Sequence, residues 1–389
     1  MSQLNGHCKL AWNHLFVGPG FRAKPCCRFL GNLVPREHRL SEAQGLRSLQ
    51  SSEFLSALRT KMALGEKPEG CQRCAEEEQS GKRMSLREFY NSQDWMSDSL
   101  QESQLTYLEL GSSGICNLAC VMCGPEFSSR WRQDYQALHG SPWSGLGADY
   151  SLDQIQDEEI IRLRHVKFTG GEPLLSRDYR EFLKRLVGLG VAKNIFLNYS
   201  TNMTILPDEE LIDTWKKFER VEVAASIDGC GRLNDYVRFP SQWSEVERVA
   251  AEFARLSREL KLKVGLRATI SAVNVHGLAE LLSWWKGLES LFSSGTWTNA
   301  THVTTPHFLS STVIPEEIKH KISKKIIGQG VDLETNKIIE HHVKHMFSRD
   351  GSALWPDFQT FCSKLDRHRG NQLSLVAPHL AEQIAVRLQ

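Results

Sequence analysis

Short apolar runs alternate with amphipathic stretches over the central part of the chain. From about residue 105, buried β-strands are predicted at LTYLEL (105–110), HVKFTG (165–170), NIFLNYST (194–201), RVEVAASID (220–228) and KVGLRATIS (263–271). Helical patterns lie between them: REFLKRLVGLG has one apolar face, formed by Phe182, Leu183, Leu186 and Val187, and Gly190 can end the helix. This repeated alternation predicts a parallel sheet covered by helices, either open or closed into a barrel.

The composition is that of an ordinary globular protein and excludes some partners. Lys and Arg total 47 and Asp and Glu total 46, so the excess positive charge typical of proteins that bind nucleic acids or anionic membranes is absent. The sequence has no apolar stretch of about 18 residues and no signal-peptide pattern, so we expect a cytoplasmic protein without a membrane span. In a reducing compartment, its ten cysteines indicate metal binding or catalysis rather than disulfides.

Three cysteines follow the first predicted strand at the spacing C-x3-C-x2-C, in CNLACVMC (116–123). In parallel α/β folds the chemistry takes place at the carboxyl ends of the strands, where this segment lies. The thiolates of Cys116, Cys120 and Cys123 can hold three irons of a four-iron cluster and leave the fourth iron open to a small molecule. The alternative is a zinc site that takes its fourth ligand from elsewhere in the chain.

A glycine pair and a carboxylate follow the second predicted strand, in FTGGEPLL (168–175). Without side chains, Gly170 and Gly171 allow close backbone approach to a ligand, and Glu172 adds a negative charge. Together these features suit an ammonium group, and Pro173 can begin a helix. The alternative is a plain turn between strand and helix.

The two motifs in this order resemble the radical S-adenosylmethionine (SAM) enzymes, whose core is a partial (β/α)6 barrel like an incomplete TIM barrel. The resemblance covers about residues 105 to 305. It implies that the three cysteines hold a 4Fe–4S cluster whose open iron binds the amino and carboxylate groups of SAM, and that Gly170, Gly171 and Glu172 contact the amino group. Met122 stands where many members have an aromatic residue, and its side chain can still pack on adenine.

Polar residues also follow the later strands. Ribose-binding candidates, similar to residues of the family, are Ser200 and Asn202 in YSTN (199–202) and Ser226 and Asp228 in ASIDG (225–229). Arg238 is a candidate for a bidentate carboxylate contact. Thr269, Ser271 and Asn274 end the following strand. Each of these residues could instead be a turn or a helix cap.

A second group of cysteines lies near the N-terminus and comprises Cys8, Cys26, Cys27, Cys71 and Cys74. Four thiolates would close an iron-sulfur cluster completely, which suits an electron-transfer or structural site. The pattern resembles the twitch module, a short form of the SPASM domain with one auxiliary 4Fe–4S cluster, here located before the barrel. Cys8, Cys71 and Cys74 are predicted as three of the ligands, and Cys26 is slightly favoured over Cys27 as the fourth. The alternative is a zinc knuckle with four cysteines.

Two weaker candidates lie elsewhere. Cys230, directly after ASIDG, could donate a hydrogen atom to a substrate radical, as a thiol does in radical epimerases, or be a small packed hydrophobe. His341 and His345 are four residues apart and could share a metal on a helix face, although a solvated surface is the simpler interpretation.

These patterns predict an auxiliary-cluster module over residues 1–100, a barrel over 101–305 and an α-rich extension over 306–389. The resemblance implies an oxidoreductase or maturase that cleaves SAM to a 5′-deoxyadenosyl radical, with flavodoxin or ferredoxin as electron donor. The extensions of about 100 and 80 residues favour a peptide or protein substrate, and the five clustered N-terminal cysteines favour oxidation or cross-linking of its side chain. The alternatives are a dehydrogenase or epimerase of a sugar, cyclitol or nucleotide, and a non-catalytic zinc or iron-sulfur protein.

Overall fold

The computed structural model describes residues 6–79, 84–97, 102–146, 150–293 and 295–380. Its strands are β1 (His14–Val17), β2 (Ala23–Lys24), β3 (Tyr107–Leu110), β4 (His165–Phe168), β5 (Phe196–Thr201), β6 (Arg220–Ser226), β7 (Leu262–Ile270) and β8 (Thr298–His302). Its helices are α1 (Leu10–Asn13), α2 (Leu46–Gln50), α3 (Glu53–Ala63), α4 (Gln72–Gln79), α5 (Leu86–Asn91), α6 (Trp131–His139), α7 (Asp157–Ile160), α8 (Arg177–Gly188), α9 (Glu209–Trp215), α10 (Gly231–Val237), α11 (Trp243–Glu259), α12 (Leu278–Glu289), α13 (Glu316–Ile326), α14 (Leu333–Phe347), α15 (Trp355–Arg369) and α16 (Leu373–Val376).

The strands form one sheet in the order β2-β1-β3-β4-β5-β6-β7-β8. From β3 onward the spatial order follows the sequence, with helices between successive strands, so the predicted partial (β/α)6 architecture is confirmed. All five predicted strands occur within a few residues of their expected limits. The sheet also contains β1, β2 and β8, which the sequence pattern did not predict. Strand β1 pairs with β3 in parallel from His14↔Tyr107 to Val17↔Leu110.

The chain divides into two compact units. The first comprises Met1–Ile115, Gly145–Tyr199 and Pro207–Val221, and the second comprises Cys116–Ser144, Ser200–Leu206 and Glu222–Gln389. Among the described residues, every helix is too short or too polar to cross a bilayer.

The core of the first unit follows from strand alternation, which directs successive side chains to opposite faces. One face packs on α8, where Phe168 stacks on Tyr179 with ring centroids 4.5 Å apart. On the other face the first residues of neighbouring strands stack in register: the Tyr107 ring lies 4.1 Å from His14 and 4.0 Å from His165. Two residues further along, Lys167 Nζ lies 2.7 Å from Glu109 Oε1. This face is therefore polar although it is buried.

The core of the second unit is formed by β7, β8 and the helices around them. The two strands pair in parallel from Leu266↔Thr298 to Ile270↔His302. Helix α12 contributes Trp285, which is fully buried and lies 5.5 Å from the Phe292 ring. A buried aromatic side chain of this size contributes about 2 to 3 kcal/mol relative to an exposed one, so α12 is firmly held.

Candidate active site

The cysteine motif lies in an irregular loop of the second unit, and its backbone is fixed by hydrogen bonds. The Ala119 N–H donates to the Phe239 carbonyl at 2.6 Å, and the Val121 N–H donates to the Val237 carbonyl at 2.7 Å. The Trp131 indole donates to the Cys120 carbonyl at 2.9 Å. The loop is therefore rigid although it has no helix or strand of its own.

The three thiols of this loop are half-buried and close enough to influence one another. Burial raises the pKa of Cys123 well above its usual range, and the charges of Cys120 and Cys116 raise it further. The Leu118 N–H donates to Cys116 Sγ at 3.4 Å. Thiolates crowded together in this way require a positive counter-charge, which iron supplies, so the donor set suits an iron-sulfur cluster.

Arg238 and Asp228 form a buried ion pair beside the motif. Arg238 Nη2 lies 2.8 Å from Asp228 Oδ2, and its Nη1 lies 3.9 Å from Cys120 Sγ. The other Asp228 oxygen accepts the Thr269 N–H at 2.7 Å. Burial raises the pKa of Asp228, and Arg238 offsets part of this increase. The structure thus brings two predicted site residues to the edge of the cysteine loop.

Asn202 also reaches the motif. Its side-chain amide donates to Asn117 Oδ1 at 2.8 Å, and Asn117 donates in turn to Thr204 Oγ1 at 2.8 Å. The Thr204 N–H donates to Asn202 Oδ1 at 3.0 Å. This network ties the loop after β5 to the residue that follows Cys116. Asn117 and Thr204 were not among the residues selected from the sequence.

The GGEP loop of the first unit packs against the segment that leads into Cys116. The Gly171 N–H donates to the Ser113 carbonyl at 2.8 Å, and the Glu172 N–H donates to the Ile115 carbonyl at 2.7 Å. A Cβ atom at Gly171 would lie 2.1 Å from the Ile115 oxygen, and one at Gly170, whose φ is +98°, would lie 2.7 Å from the Ser113 oxygen. Both glycines are therefore required by a close approach of backbone to backbone.

Glu172 is fully buried at the start of a short 3-10 turn, Pro173–Leu175. Its Oε1 accepts the Leu174 N–H at 3.1 Å. Pro173 therefore begins a short 3-10 turn rather than a longer helix. The longer helix α8 starts after it, with Ser176 as its N-terminal cap.

Other predicted residues have different surroundings. Ser200 Oγ accepts a hydrogen bond from Arg267 at 3.3 Å, and Ser226 and Met122 are half-buried. Asn274 accepts the Ser271 N–H at 2.7 Å and donates to the Asp228 carbonyl at 2.8 Å, so it closes the turn after β7.

The Cys230 thiol lies near carboxylates of two helices. It is half-buried at the start of α10. Burial, together with the charges of Glu280 of α12 and Glu247 of α11, raises its pKa to about 12. Its role as a hydrogen donor stays a prediction.

A cavity in the first unit is lined by Cys8, Cys26, Cys71 and Cys74. Burial, together with the charge of the neighbouring Cys74, raises the pKa of Cys8 and of Cys71 to about 12. A closed four-iron cluster needs four thiolate ligands, and the four thiols around this cavity can supply them.

Cys27 is not among the described residues that line this cavity, although its charge raises the pKa of Cys26. Burial raises the pKa of the Cys27 thiol, the Glu109 carboxylate raises it further, and Lys167 opposes the shift. These two charged residues belong to the polar face of the sheet. Cys26 and Cys27, which the sequence left as near-equivalent ligands, therefore differ in that only Cys26 is among the described residues that line the cavity.

The cavity wall also carries arginines that the sequence interpretation missed. Arg28, Arg73 and Arg87 line it together with the cysteines. Arg28 follows Cys27 directly, and Arg73 stands between two cysteines in CQRC. The position of these arginines next to cysteines in the sequence could therefore have indicated a positively charged cavity wall.

Four histidines gather in the second unit. His302 Nε2 lies 3.1 Å from His341 Nε2, and the His302 ring stacks on His345 with centroids 3.6 Å apart. His342 is fully buried, so this helix face is packed rather than solvated. Within the described residues, no three His, Cys, Asp or Glu side chains converge as they would around a single metal ion. In a four-iron cluster, by contrast, each cysteine binds a different iron.

Residues 111–277 match the family model described as the radical SAM superfamily. Similarity extends to the Bacillus subtilis protein YfkA, 28% identical over 109 residues that cover 28% of this chain and 26% of that protein. A GTP 3′,8-cyclase of Pelotomaculum thermopropionicum is 29% identical over 112 residues, covering 29% of this chain and 31% of that protein. The corresponding enzyme of Nautilia profundicola is 25% identical over 182 residues, covering 46% and 50%. The alignments thus span between a quarter and a half of the curated relatives.

Two solved structures are also similar. The anSMEcpe structure with bound AdoMet has a TM-score of 0.37 and 19% identity, covering 57% of each chain. Streptococcus suis SuiB bound to the precursor peptide SuiA has a TM-score of 0.35 and 14% identity, covering 74% of this chain and 62% of that one.

Proposed function

We propose that this protein is a radical SAM enzyme that cleaves SAM reductively and abstracts a hydrogen atom from a bound substrate, since residues 111–277 match the radical SAM family model. One observation carries the proposal: the backbone of Gly171 and Glu172 is hydrogen-bonded to Ser113 and Ile115, and the next residue in the chain is Cys116. The loop assigned to SAM is thus hydrogen-bonded to the segment that directly precedes the first cysteine in the sequence.

Cys116, Cys120 and Cys123 would hold the 4Fe–4S cluster, with the fourth iron open to the amino and carboxylate groups of SAM. When bound, this cluster supplies the electron that cleaves SAM to methionine and a 5′-deoxyadenosyl radical. The protein must orient the substrate and exclude water while the radical exists.

The remaining SAM contacts are part of the proposal. The loop Gly170–Pro173 would receive the amino group and Met122 the adenine. Arg238 lies 3.9 Å from Cys120 Sγ, a position from which it would neutralise cluster charge or bind the SAM carboxylate. The ribose hydroxyls would meet polar side chains at the strand ends, namely Ser200, Asn202, Ser226 and Asp228.

We assign a second, auxiliary 4Fe–4S cluster to the cavity of the first unit, with Cys8, Cys26, Cys71 and Cys74 as its ligands. Support comes from the four thiols that line one cavity and from the fact that Cys27 is not among the described residues that line it. A closed cluster has no site for SAM, so its role is electron transfer or structure. Cys27 is therefore left out of the ligand set.

The substrate that we favour is a peptide or protein side chain, which would be oxidised or cross-linked. The chain beyond the radical SAM domain is long enough to contribute to a wide cleft. A small molecule is the second candidate, and similarity over 182 residues to an enzyme named GTP 3′,8-cyclase favours a nucleotide within that class. A flavodoxin or ferredoxin would supply the electrons.

The test is anaerobic reconstitution with iron and sulfide, followed by incubation with SAM and dithionite. Candidate peptides encoded by neighbouring open reading frames and a set of nucleotides are added in turn. We expect one peptide to lose two hydrogens by mass spectrometry while 5′-deoxyadenosine rises with it. A modified nucleotide instead would overturn the peptide assignment. A colourless protein that binds zinc and yields no 5′-deoxyadenosine would overturn the enzymatic assignment.

A further inference from the structure

The charged side chains that line the cysteine cavity are all cationic within the described residues: Arg28, Lys67, Arg73 and Arg87. Cations placed this close to four cysteines indicate that the cavity is built to hold negative charge. A cluster bound by four thiolates carries net negative charge, and one-electron reduction adds a further unit.

Carboxylates of α4 pair with these arginines but are not among the described residues that line the cavity. Arg28 and Arg73 share Glu77, with Arg73 Nε 4.0 Å from its Oε1. The Arg87 Nε–H donates to Glu78 Oε1 at 2.9 Å. The two carboxylates fix the directions of three guanidinium groups, but they cannot neutralise all the positive charge at the wall.

Apolar side chains complete the cavity wall, among them Leu10, Phe29, Met62 and Leu86. Such a lining excludes water, and a lower local dielectric strengthens the attraction between a guanidinium group and a negative cluster. Arginine remains charged at every physiological pH, so its effect does not depend on protonation. The net charge of the surroundings is one of the factors that set the reduction potential of an iron-sulfur cluster.

We propose that Arg28, Arg73 and Arg87 raise the reduction potential of the auxiliary cluster and thereby make it an electron acceptor. This inference rests on the proposed cluster with ligands Cys8, Cys26, Cys71 and Cys74. Each guanidinium group stabilises the reduced form more than the oxidised form, because reduction adds negative charge.

The electron balance then fixes the type of reaction. With one electron from the flavodoxin- or ferredoxin-type donor, SAM takes a hydrogen atom from the substrate and leaves as 5′-deoxyadenosine and methionine. The substrate radical loses one electron to the auxiliary cluster and one proton to water, so the substrate is oxidised by two electrons in total. The cluster is reduced by one electron and passes it to a flavodoxin- or ferredoxin-type acceptor. Oxidation, rather than return of a hydrogen atom, is the outcome that this arrangement favours.

The experiment is an anaerobic redox titration followed by electron paramagnetic resonance. It uses the full chain with Cys116, Cys120 and Cys123 replaced by alanine, so that only the auxiliary cluster is observed. We expect Arg28→Gln and Arg87→Gln each to lower the equilibrium constant for reduction of the cluster about tenfold. For a one-electron couple this makes the reduction potential about 59 mV more negative. Iron content and thermal unfolding are measured on the same samples.

Matched variants separate charge from structure. Arg87→Lys keeps the positive charge, so it should shift the reduction potential much less than Arg87→Gln does. Glu77→Gln removes a carboxylate partner and should shift the potential in the positive direction. Arg36→Gln, at an exposed position that is not among the lining residues, should leave the potential unchanged.

Unchanged potentials in Arg28→Gln, Arg87→Gln and Glu77→Gln with full iron content would overturn the inference. Absence of any iron-sulfur signal in the parent variant would instead overturn the assignment of the auxiliary cluster, so the two failures are distinguishable.

Discussion

Cys26 and Cys27 are joined by one peptide bond and the charge of Cys27 raises the pKa of Cys26, yet of the two only Cys26 is among the described residues that line the cysteine cavity. Cys26 lines a cavity with Cys8, Cys71 and Cys74, whereas Cys27 is influenced mainly by burial and by Glu109 and Lys167. Because an iron-sulfur cluster needs its ligands around one centre, only one of the two cysteines can complete this set.

Replacement of these two cysteines should therefore give different iron contents. With both clusters formed, we expect about eight irons per chain, from two clusters of four. Cys26→Ala should lose about half of them, while Cys27→Ala should retain all. Iron and sulfide analysis after anaerobic reconstitution measures the difference. Equal losses in the two variants would contradict the assignment of Cys26.

The two cysteine groups should also bind iron independently. A variant with alanine at Cys116, Cys120 and Cys123 should keep roughly half of the iron, because each predicted cluster has its own ligands. Electron paramagnetic resonance of this variant should show one reduced cluster, whose signal does not change when SAM is added. Complete loss of iron would argue against two separate sites.

Gly171 tests the link between the GGEP loop and the cysteine motif. A Cβ atom at this position would lie 2.1 Å from the Ile115 oxygen, so Gly171→Ala must displace the segment that leads into Cys116. We expect SAM affinity, measured by equilibrium dialysis, to fall at least about tenfold, or about 1.4 kcal/mol.

A matched control lies in the same unit. Gly188 ends α8 on the surface, and a Cβ atom there would meet nothing within 4 Å. Gly188→Ala should bind SAM with unchanged affinity. If Gly171→Ala also kept full affinity, the GGEP segment would be only a turn.

The central strands were predictable because each is a local pattern. Strand β5, for example, covers Phe196–Thr201 within the predicted 194–201. Strand β1 was not predictable in the same way: HLFV is short, follows α1 directly, and gains its partner β3 only across about 90 residues of chain. Long-range pairing of this kind leaves no signal in a local window.

Contacts between side chains of different helices and strands could not be predicted from the sequence either. The pattern groups His341 with His345, but it cannot show that His302 of β8 packs against both. Likewise, Glu109 and Lys167 read as ordinary strand residues until the register of β3 and β4 places them as partners. These contacts depend on tertiary structure.

The ion pair between Glu109 and Lys167 should contribute to stability in a pH-dependent way. Burial alone would raise the pKa of Glu109, but Lys167 and His14 lower it well below its usual range. Glu109→Gln leaves a buried ammonium group without its counter-charge, so we expect a loss of about 3 kcal/mol in the free energy of unfolding at pH 7.

The sign of the pH dependence follows from the lowered pKa. The stabilisation is complete above the pKa of the unfolded state, about 4.3, and is lost as the pH falls below it. Urea denaturation of wild type and Glu109→Gln should therefore give a constant difference at neutral pH that narrows below about pH 4. Glu219→Gln, on the surface, should match wild type throughout. A difference that stayed constant down to pH 3 would contradict the ion-pair account.

Formation of 5′-deoxyadenosine tests the proposed function most directly. Reconstituted protein, SAM and dithionite are incubated without oxygen, and the product is quantified by chromatography and mass spectrometry. We predict that wild type forms 5′-deoxyadenosine and methionine in equal amounts, and that Cys120→Ala forms neither while it retains the iron of the auxiliary cluster. Continued formation of 5′-deoxyadenosine by Cys120→Ala, or none by fully reconstituted wild type even with substrate candidates present, would contradict the account.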